Sequence, residues 1–344
     1  MEIFKMSTDF PIQTESVRTE KIKQRTKLEV KNLTFSYGER LALNNVSFEV
    51  SEGMIAGILG PNGSGKTTLF RILSTLLPLS SGTVNISGFS YPEESASARA
   101  IMGIVFQSPS LDKKLTVEEN LLHQGHLYNL HGKELRNRID ELLKLFHLSE
   151  RKKDLVETLS GGLQRRVEVA KGILHRPEVL ILDEPSTGID PAARRDIWNY
   201  LFTLRKELNL TILVTTHLMD EAERCDKVLI LDQGKVIAWD SPDRLRSLLP
   251  GLVLTIRSSS IDILEKDIFN LGRMPIKLNG AIVVESKKDE SPQTLLQFAA
   301  DLLERHQSYI TAMTIAKTSL EDVFLHLTGR QFIVGDKESQ LPIP

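Results

Sequence analysis

Residues 60–68 read Gly60-Pro61-Asn62-Gly63-Ser64-Gly65-Lys66-Thr67-Thr68, which fits the pattern G-x-x-x-x-G-K-[ST]. Glycines let a backbone curl until its N–H groups face phosphate oxygens. A helix opening at the end of the loop adds partial positive charge. Lys66 is placed to reach the β- and γ-phosphates of a nucleotide, and the Thr67 hydroxyl to ligate Mg²⁺. A second group of reactive side chains lies downstream. The apolar run Val179-Leu180-Ile181-Leu182 ends in Asp183-Glu184. Asp183 suits a Mg²⁺ shell, directly or through water. Glu184, one residue on, leaves the strand in another direction and could hold the water that attacks a γ-phosphate. An acidic turn after a strand is common, but here Pro185 and the turn Ser186-Thr187-Gly188-Ile189-Asp190 follow at once.

Three further residues fit the same chemistry. Thr211–Val214 forms another apolar run that leads through Thr215 and Thr216 to His217. Ligands of open parallel sheets sit at the carboxyl ends of strands, so His217 is a candidate γ-phosphate contact. Gln107 follows the run ending Val105-Phe106 and is a candidate ligand for Mg²⁺ or the attacking water. Tyr37, in Phe35-Ser36-Tyr37-Gly38, could stack on adenine, although a simple sheet aromatic reads the same way. Between the phosphate loop and the acidic strand lies Leu159-Ser160-Gly161-Gly162-Leu163-Gln164. It places small residues at the start of a helix expected over Gln164–Leu174.

In this order and at these spacings, the residues resemble the ATP-binding-cassette ATPases over about residues 28–245. The Leu-Ser-Gly-Gly element distinguishes that family among phosphate-loop proteins, and no guanine-reading [NT]-K-x-D pattern is present. The resemblance implies an α/β phosphate-loop cassette: a mixed sheet core, an antiparallel β part and a helical subdomain. It implies ATP and Mg²⁺ as cofactors, with the metal held by Thr67, Gln107 and Asp183. Glu184, His217 and Gln107 would be the catalytic set. Tyr37, Gly60, Pro61, Asn62, Gly63, Ser64, Gly65, Lys66, Thr67 and Thr68 would bind ATP. Two such cassettes close head to tail around two nucleotides. Ser160, Gly161, Gly162 and Gln164 would therefore complete the partner's site, with Asp190 at the seam. The turn Thr187-Gly188-Ile189-Asp190 stands where many relatives end in Ala-Leu-Asp, a conservative difference. One phosphate loop and one signature imply a second cassette, a homodimer being the simplest arrangement.

The elements that must hold these residues are legible from periodicity. Met54–Leu59 reads as a short buried strand, and Thr67–Leu77 as the helix that opens on the loop. Residues 113–158 read as helical, with Leu135, Ile139, Leu142, Leu143 and Phe146 on one face. This matches the family's helical subdomain (about 113–165), whose groove beside Ser108–Asn120 receives a helix of the membrane subunit. Residues 28–52 read as strands and 234–242 as a closing hairpin strand. A helix over Asp243–Leu249 follows, and Pro250-Gly251 marks the expected end of a 28–250 cassette. Beyond it, strands and helices alternate through 251–330 as a small accessory α/β domain without a catalytic constellation. Its end, Ser319 to Arg330, resembles the C-terminal motif of the multidrug and antibiotic-resistance subgroup, which serves separate ABC-2-type permeases in export. Segments 1–27 and 331–344 read by composition as polar, disordered tails.

Composition narrows the function further. The 344 residues carry a formal net charge of −2, so no basic footprint suggests nucleic acid. The single cysteine, Cys225, excludes an internal disulfide framework. No apolar run approaches the ~18 residues of a membrane span, and residues 1–27 lack a signal-peptide core. The expected location is the cytoplasmic face of a membrane, reached through the permease. An importer ATPase, a non-transport cassette and a non-hydrolysing regulator are the alternatives. The interval between Lys66 and Asp183 lacks sustained heptads, which disfavours a coiled-coil cassette, and intact Glu184 and His217 disfavour the regulator.

Overall fold

The structure, a computed structural model, describes residues 25–249, 251–278, 280–287 and 290–329. The expected tails lie outside these residues apart from 25–27, as do Pro250 at the expected boundary and Arg330.

The chain opens with a hairpin, β1 (Thr26–Tyr37) and β2 (Arg40–Ser51), and enters the central strand β3 (Ile55–Leu59). After α1 (Lys66–Leu73) come β4 (Ser81–Ile86), β5 (Phe89–Tyr91), α2 (Ser95–Ala100) and β6 (Met102–Val105). The helical part holds α3 (Val117–Leu127), α4 (Gly132–Leu145) and α5 (Gly161–Ile173). Then follow β7 (Val179–Asp183), α6 (Pro191–Leu208), β8 (Thr211–Thr216), α7 (Met219–Ala222), β9 (Lys227–Asp232), β10 (Lys235–Asp240) and α8 (Pro242–Arg246).

The central sheet has the order β10-β9-β3-β8-β7-β6, parallel except for the edge strand β10. Its strands are continuous apolar runs because both faces are covered. Along β7, Leu180 and Leu182 enter one core, and Val179 and Ile181 the other. One core joins the sheet to α1 and to the antiparallel sheet β2-β1-β4-β5. The other joins it to the helical part and to α6. The phosphate loop, Gln107, Asp183-Glu184 and His217 lie at or just beyond the carboxyl ends of β3, β6, β7 and β8.

Several boundaries differ from the sequence reading. The helix expected to run to Leu77 stops at Leu73, because Thr75 takes a left-handed φ of 61° before Pro78. The helical stretch 113–158 is two helices broken at Asn129 and Gly132, both at positive φ, followed by two short 3₁₀ turns. Helix α5 starts at Gly161 rather than Gln164, since Ser160 caps it.

Beyond Gly251 the elements are β11 (Leu252–Ser258), α9 (Ile261–Asn270), β12 (Ile276–Leu278), β13 (Ala281–Glu285), α10 (Pro292–His306), β14 (Ile310–Lys317) and α11 (Leu320–Thr328). The short strand β12 was not legible in sequence. The sheet order β12-β13-β11-β14 is fully antiparallel, the arrangement of a split β-α-β unit. Helices α9 and α10 bury Leu264, Ile268, Leu295 and Leu302 on one face of it. Helix α11 behaves differently. Its Leu320, Val323 and Phe324 belong to the core beneath the central sheet, together with Leu245 and Leu249 from α8 and the turn after it. On its other side His326 Nδ1 stands 3.4 Å from Glu285 of β13. The helix read from sequence as the end of the accessory unit thus pins that unit to the cassette. Phe324→Ala should destabilise the cassette by about 3 to 5 kcal/mol, read as a lower denaturant midpoint with an unchanged slope.

Candidate functional site

Strand β3 delivers the chain into the phosphate loop, and the loop is fixed by close backbone approach. A Cβ on Gly60 would lie 2.4 Å from the Leu231 carbonyl, and Gly65, at φ 108°, would meet the Ala42 carbonyl. Lys66, the first residue of α1, is 4 % exposed, and its Nζ donates to the carbonyls of Gly60 and Pro61 at 2.8 and 3.1 Å. Burial lowers its pKa, against the pull of the Glu184 and Asp183 carboxylates. Its Nζ lies 3.7 Å from Glu184 Oε1.

The carboxyl ends of β6, β7 and β8 bring the remaining groups together. Glu184 has a left-handed φ of 42°, a conformation that costs a non-glycine residue about 1 to 3 kcal/mol. Its N–H donates to Thr215 Oγ1 at 3.0 Å. Its Oε2 accepts from Gln107 Nε2 at 3.1 Å and from Thr187 Oγ1 at 3.0 Å. His217 Nδ1 stands 3.1 Å from the same oxygen, at ion-pair distance but off the line of a well-formed hydrogen bond. Burial acts to raise the pKa of Glu184, yet His217, Lys66 and Thr187 outweigh it and hold the carboxyl below its ordinary range. The group is therefore ionised at neutral pH. Asp183 is 4 % exposed and accepts from Thr215 Oγ1. Its pKa is raised by burial, with the Glu184 charge adding to the effect.

A cavity of about 950 Å³ opens above these groups. Its walls include Tyr37, Asn62, Lys66, Gln107, Glu184 and His217, and also Gly63, Gly65, Thr67 and Thr68. Tyr37 is 45 % exposed and makes a T-shaped contact with Phe35, the ring centroids 5.0 Å apart. Gly60, Pro61, Ser64 and Asp183 support the loop and floor rather than line the wall. Arg40 and the β9–β10 turn at Gln233-Gly234 line it too and were not singled out in sequence. The Gly234 N–H donates to the Ser64 carbonyl at 2.8 Å, so this turn braces the loop from behind.

The signature residues do not join this cavity. Ser160 is exposed and caps α5 by accepting from Leu163 N at 3.4 Å. Gly161 is exposed beside Ile189, and a Cβ on Gly162 would come 2.6 Å from Ala193 Cβ, so Gly162 lets α5 approach α6. Gln164 turns inward, donating to the carbonyls of Val156 and Leu159 at 3.2 and 2.9 Å. Asp190 caps α6 through the N–H groups of Ala192 and Ala193. The exposed Ser160 turn and the Asp190 turn thus lie side by side on a surface apart from the phosphate loop.

Arg165 is the residue that sequence reasoning missed most plainly. It is 7 % exposed and donates to the carbonyls of Pro185 (2.7 Å), Phe106 (2.6 Å) and Asp183 (3.2 Å). Burial pushes its pKa down to about 10, so it stays charged at neutral pH. Glu168, one turn further along α5, accepts from the N–H and hydroxyl of Ser110. The signature helix is thereby fastened to both sides of Gln107 and to the strand end that carries Asp183 and Glu184.

With this geometry in view, three kinds of comparison agree. Residues 43–187 match the ABC transporter family. The linearmycin resistance ATP-binding protein LnrL of Bacillus subtilis is 35 % identical over 312 residues, covering 88 % of this chain and 98 % of that protein. The Nod factor export ATP-binding protein I of Sinorhizobium fredii is 36 % identical over 311 residues, covering 88 % and 86 %. The chain belongs to the ABC transporter ATP-binding proteins. It is an ATPase cassette of that family. Among solved structures, cbiO1 of Clostridium perfringens, part of the transporter complex cbiONQ, superposes with a TM-score of 0.61 at 29 % identity, covering 72 % of this chain and 97 % of its own. A dimeric ATP-binding cassette in a post-hydrolysis state with ADP and Pi superposes at 0.56 and 30 % identity, covering 62 % and 98 %. Among the described residues no helix is long and apolar enough to cross a membrane.

Arg165→Met would leave three buried carbonyls without their donor. It should cost on the order of 3 kcal/mol, seen as a lower denaturant midpoint, and Arg165→Lys should recover only part of the loss because one ammonium cannot span three acceptors.

Proposed function

We propose that this chain is the ATP-hydrolysing subunit of an exporter, closing head to tail with a second copy around two Mg-ATP and driving a separate ABC-2-type membrane permease from the cytoplasmic face. The observation that carries the proposal is the division of the site. The cavity holds the phosphate loop, Gln107, Glu184 and His217, while Ser160 and Gly161 are exposed at the start of a 13-residue helix elsewhere on the surface. A helix start of small residues with free N–H groups suits a phosphate held by another molecule. The relatives named for linearmycin resistance and Nod factor export favour export over import.

In this reading Tyr37 stacks on adenine, and Asn62–Thr68 wraps the phosphates. Lys66 shifts its ammonium from the loop carbonyls to the β- and γ-phosphates. Thr67 and Gln107 would hold Mg²⁺, with Asp183 behind them acting through water. Bound there, the ion would supply positive charge that offsets the negative charge developing on the transferred phosphoryl group. Glu184, kept ionised, accepts a hydrogen bond from the attacking water. The water oxygen bonds to the γ-phosphorus as one of its protons passes to the Glu184 carboxylate and the bond to the bridging oxygen breaks, and ADP leaves with that electron pair. His217, beside Glu184, faces the γ-phosphate and fixes the water's approach.

Lys66→Ala should abolish nucleotide binding, measured with a fluorescent ATP analogue; normal binding would reject the site. Glu184→Gln keeps the shape but loses the charge. It should trap an ATP-bound dimer on size exclusion, and a monomer in saturating Mg-ATP with the permease present would contradict the closure. Ser160→Arg should lower turnover by about 100-fold or more yet leave ATP affinity of the monomer unchanged. Purification from native membranes in mild detergent should bring down a polytopic membrane protein near 1:1. A soluble or ribosomal partner instead would reject the permease assignment.

A further inference from the structure

Glu221 lies on α7, 1 % exposed, with no place in the cavity wall. Its Oε1 accepts from Ser186 Oγ, and its Oε2 accepts from Thr216 Oγ1 at 2.6 Å. Both hydroxyl residues are themselves 1 % exposed. A carboxylate is costly to bury, and an apolar side chain would fill the same volume at less cost if packing were the sole requirement. What the carboxylate adds is a tie between two segments far apart in sequence. Ser186 immediately precedes Thr187, which donates to Glu184 Oε2 at 3.0 Å. Thr216 immediately precedes His217, whose Nδ1 stands 3.1 Å from the same oxygen. Thr216 Oγ1 also accepts from Leu218 N at 3.0 Å, so the chain is held on both sides of His217. Glu221 therefore sits one residue behind two of the groups that meet the Glu184 carboxylate.

We propose that Glu221 is a positioning residue for hydrolysis: its carboxylate fixes the spacing between the 186–187 and 216–217 segments and so holds Thr187 and His217 against Glu184. The inference rests on the assignment of Glu184 to the attacking water. Because Glu221 touches neither the phosphate loop nor the cavity, its removal should alter turnover and spare nucleotide affinity.

The test is steady-state ATP hydrolysis and binding of a fluorescent ATP analogue by full-length Glu221→Ala, Glu221→Gln, Ser186→Ala and Thr216→Val. Glu221→Ala should lower kcat about tenfold or more with Kd within about threefold of the parent. Glu221→Gln has the same shape, with one oxygen to accept and an amide to donate to a hydroxyl lone pair, and it should return kcat to within about threefold. Adding Ser186→Ala and Thr216→Val to Glu221→Ala should lower kcat less than about twofold further, since the bonds they serve are already gone. Parent-like kcat in folded Glu221→Ala would overturn the inference, as would Kd rising in step with falling kcat across the series. Should Glu221→Ala fail to fold, the single hydroxyl variants decide: each should lower kcat at unchanged Kd, and unchanged kcat in both overturns the role. Lys66→Ala and Glu184→Gln run alongside. If both are inactive while the Glu221 variants turn over normally, only the positioning role falls. If those two turn over normally, the site assignment itself fails.

Discussion

The carboxylate of Glu184 is the point on which the rest of the site depends. Four separate segments send a side chain to it: Lys66 from the phosphate loop, Gln107 from the end of β6, Thr187 from the turn after β7, and His217 from the end of β8. Thr187 reaches it from within the same turn, but the other three contacts exist only once the parallel strands are in register, because each comes from a different neighbouring strand end. Burial alone would raise the pKa of such a group; the surrounding donors and cations instead keep it ionised. Its left-handed backbone is held by the Thr215 hydroxyl, and the same hydroxyl donates to Asp183. Register, charge and strain thus meet at one place, and the proposed catalytic role of Glu184 rests on that convergence.

The same constraint explains why buried polar residues outside the cavity matter. Strand ends present backbone carbonyls that no ladder satisfies, and a buried carbonyl without a donor is expensive. Arg165 supplies donors to three of them and so couples the signature helix to the strand ends. Glu168 and Glu221 do the equivalent work with carboxylates, each accepting from segments next to a residue that meets Glu184 or its neighbours. A movement of α5 therefore cannot leave the Gln107 segment behind. Under the proposed function, that is the path by which closure over ATP would reach the groove beside Ser108.

Much of this was legible in sequence, and what was missed has a common physical cause. The phosphate loop, the acidic end of β7 and His217 announce themselves because their residue types are rare at such positions and follow apolar runs of strand length. The cavity brings Tyr37, Lys66, Gln107, Glu184 and His217 to one wall, as those patterns suggested. Arg165 and Glu221 look like ordinary charges on helices, since their partners lie 18 to 59 and 5 to 35 residues away and no local spacing encodes them. Gly162 read as a phosphate contact, yet its lack of a Cβ is also what admits Ala193 of α6. Periodicity found α11 but could not say which core its apolar face enters, and Leu320, Val323 and Phe324 enter that of the cassette. The three-residue strand β12 is too short to carry a pattern at all.

The central claim is that each chain carries halves of two different ATP sites. It is tested most directly by joining one Lys66→Ala chain to one Ser160→Arg chain as a purified 1:1 heterodimer. Each parent homodimer lacks an essential half in both sites. The heterodimer holds one site with an intact phosphate loop from one chain and an intact Ser160 turn from the other. The account predicts that ATP hydrolysis, absent in both parents, returns in the heterodimer. A heterodimer as inactive as its parents, with ATP shown to occupy the intact phosphate loop, would contradict it.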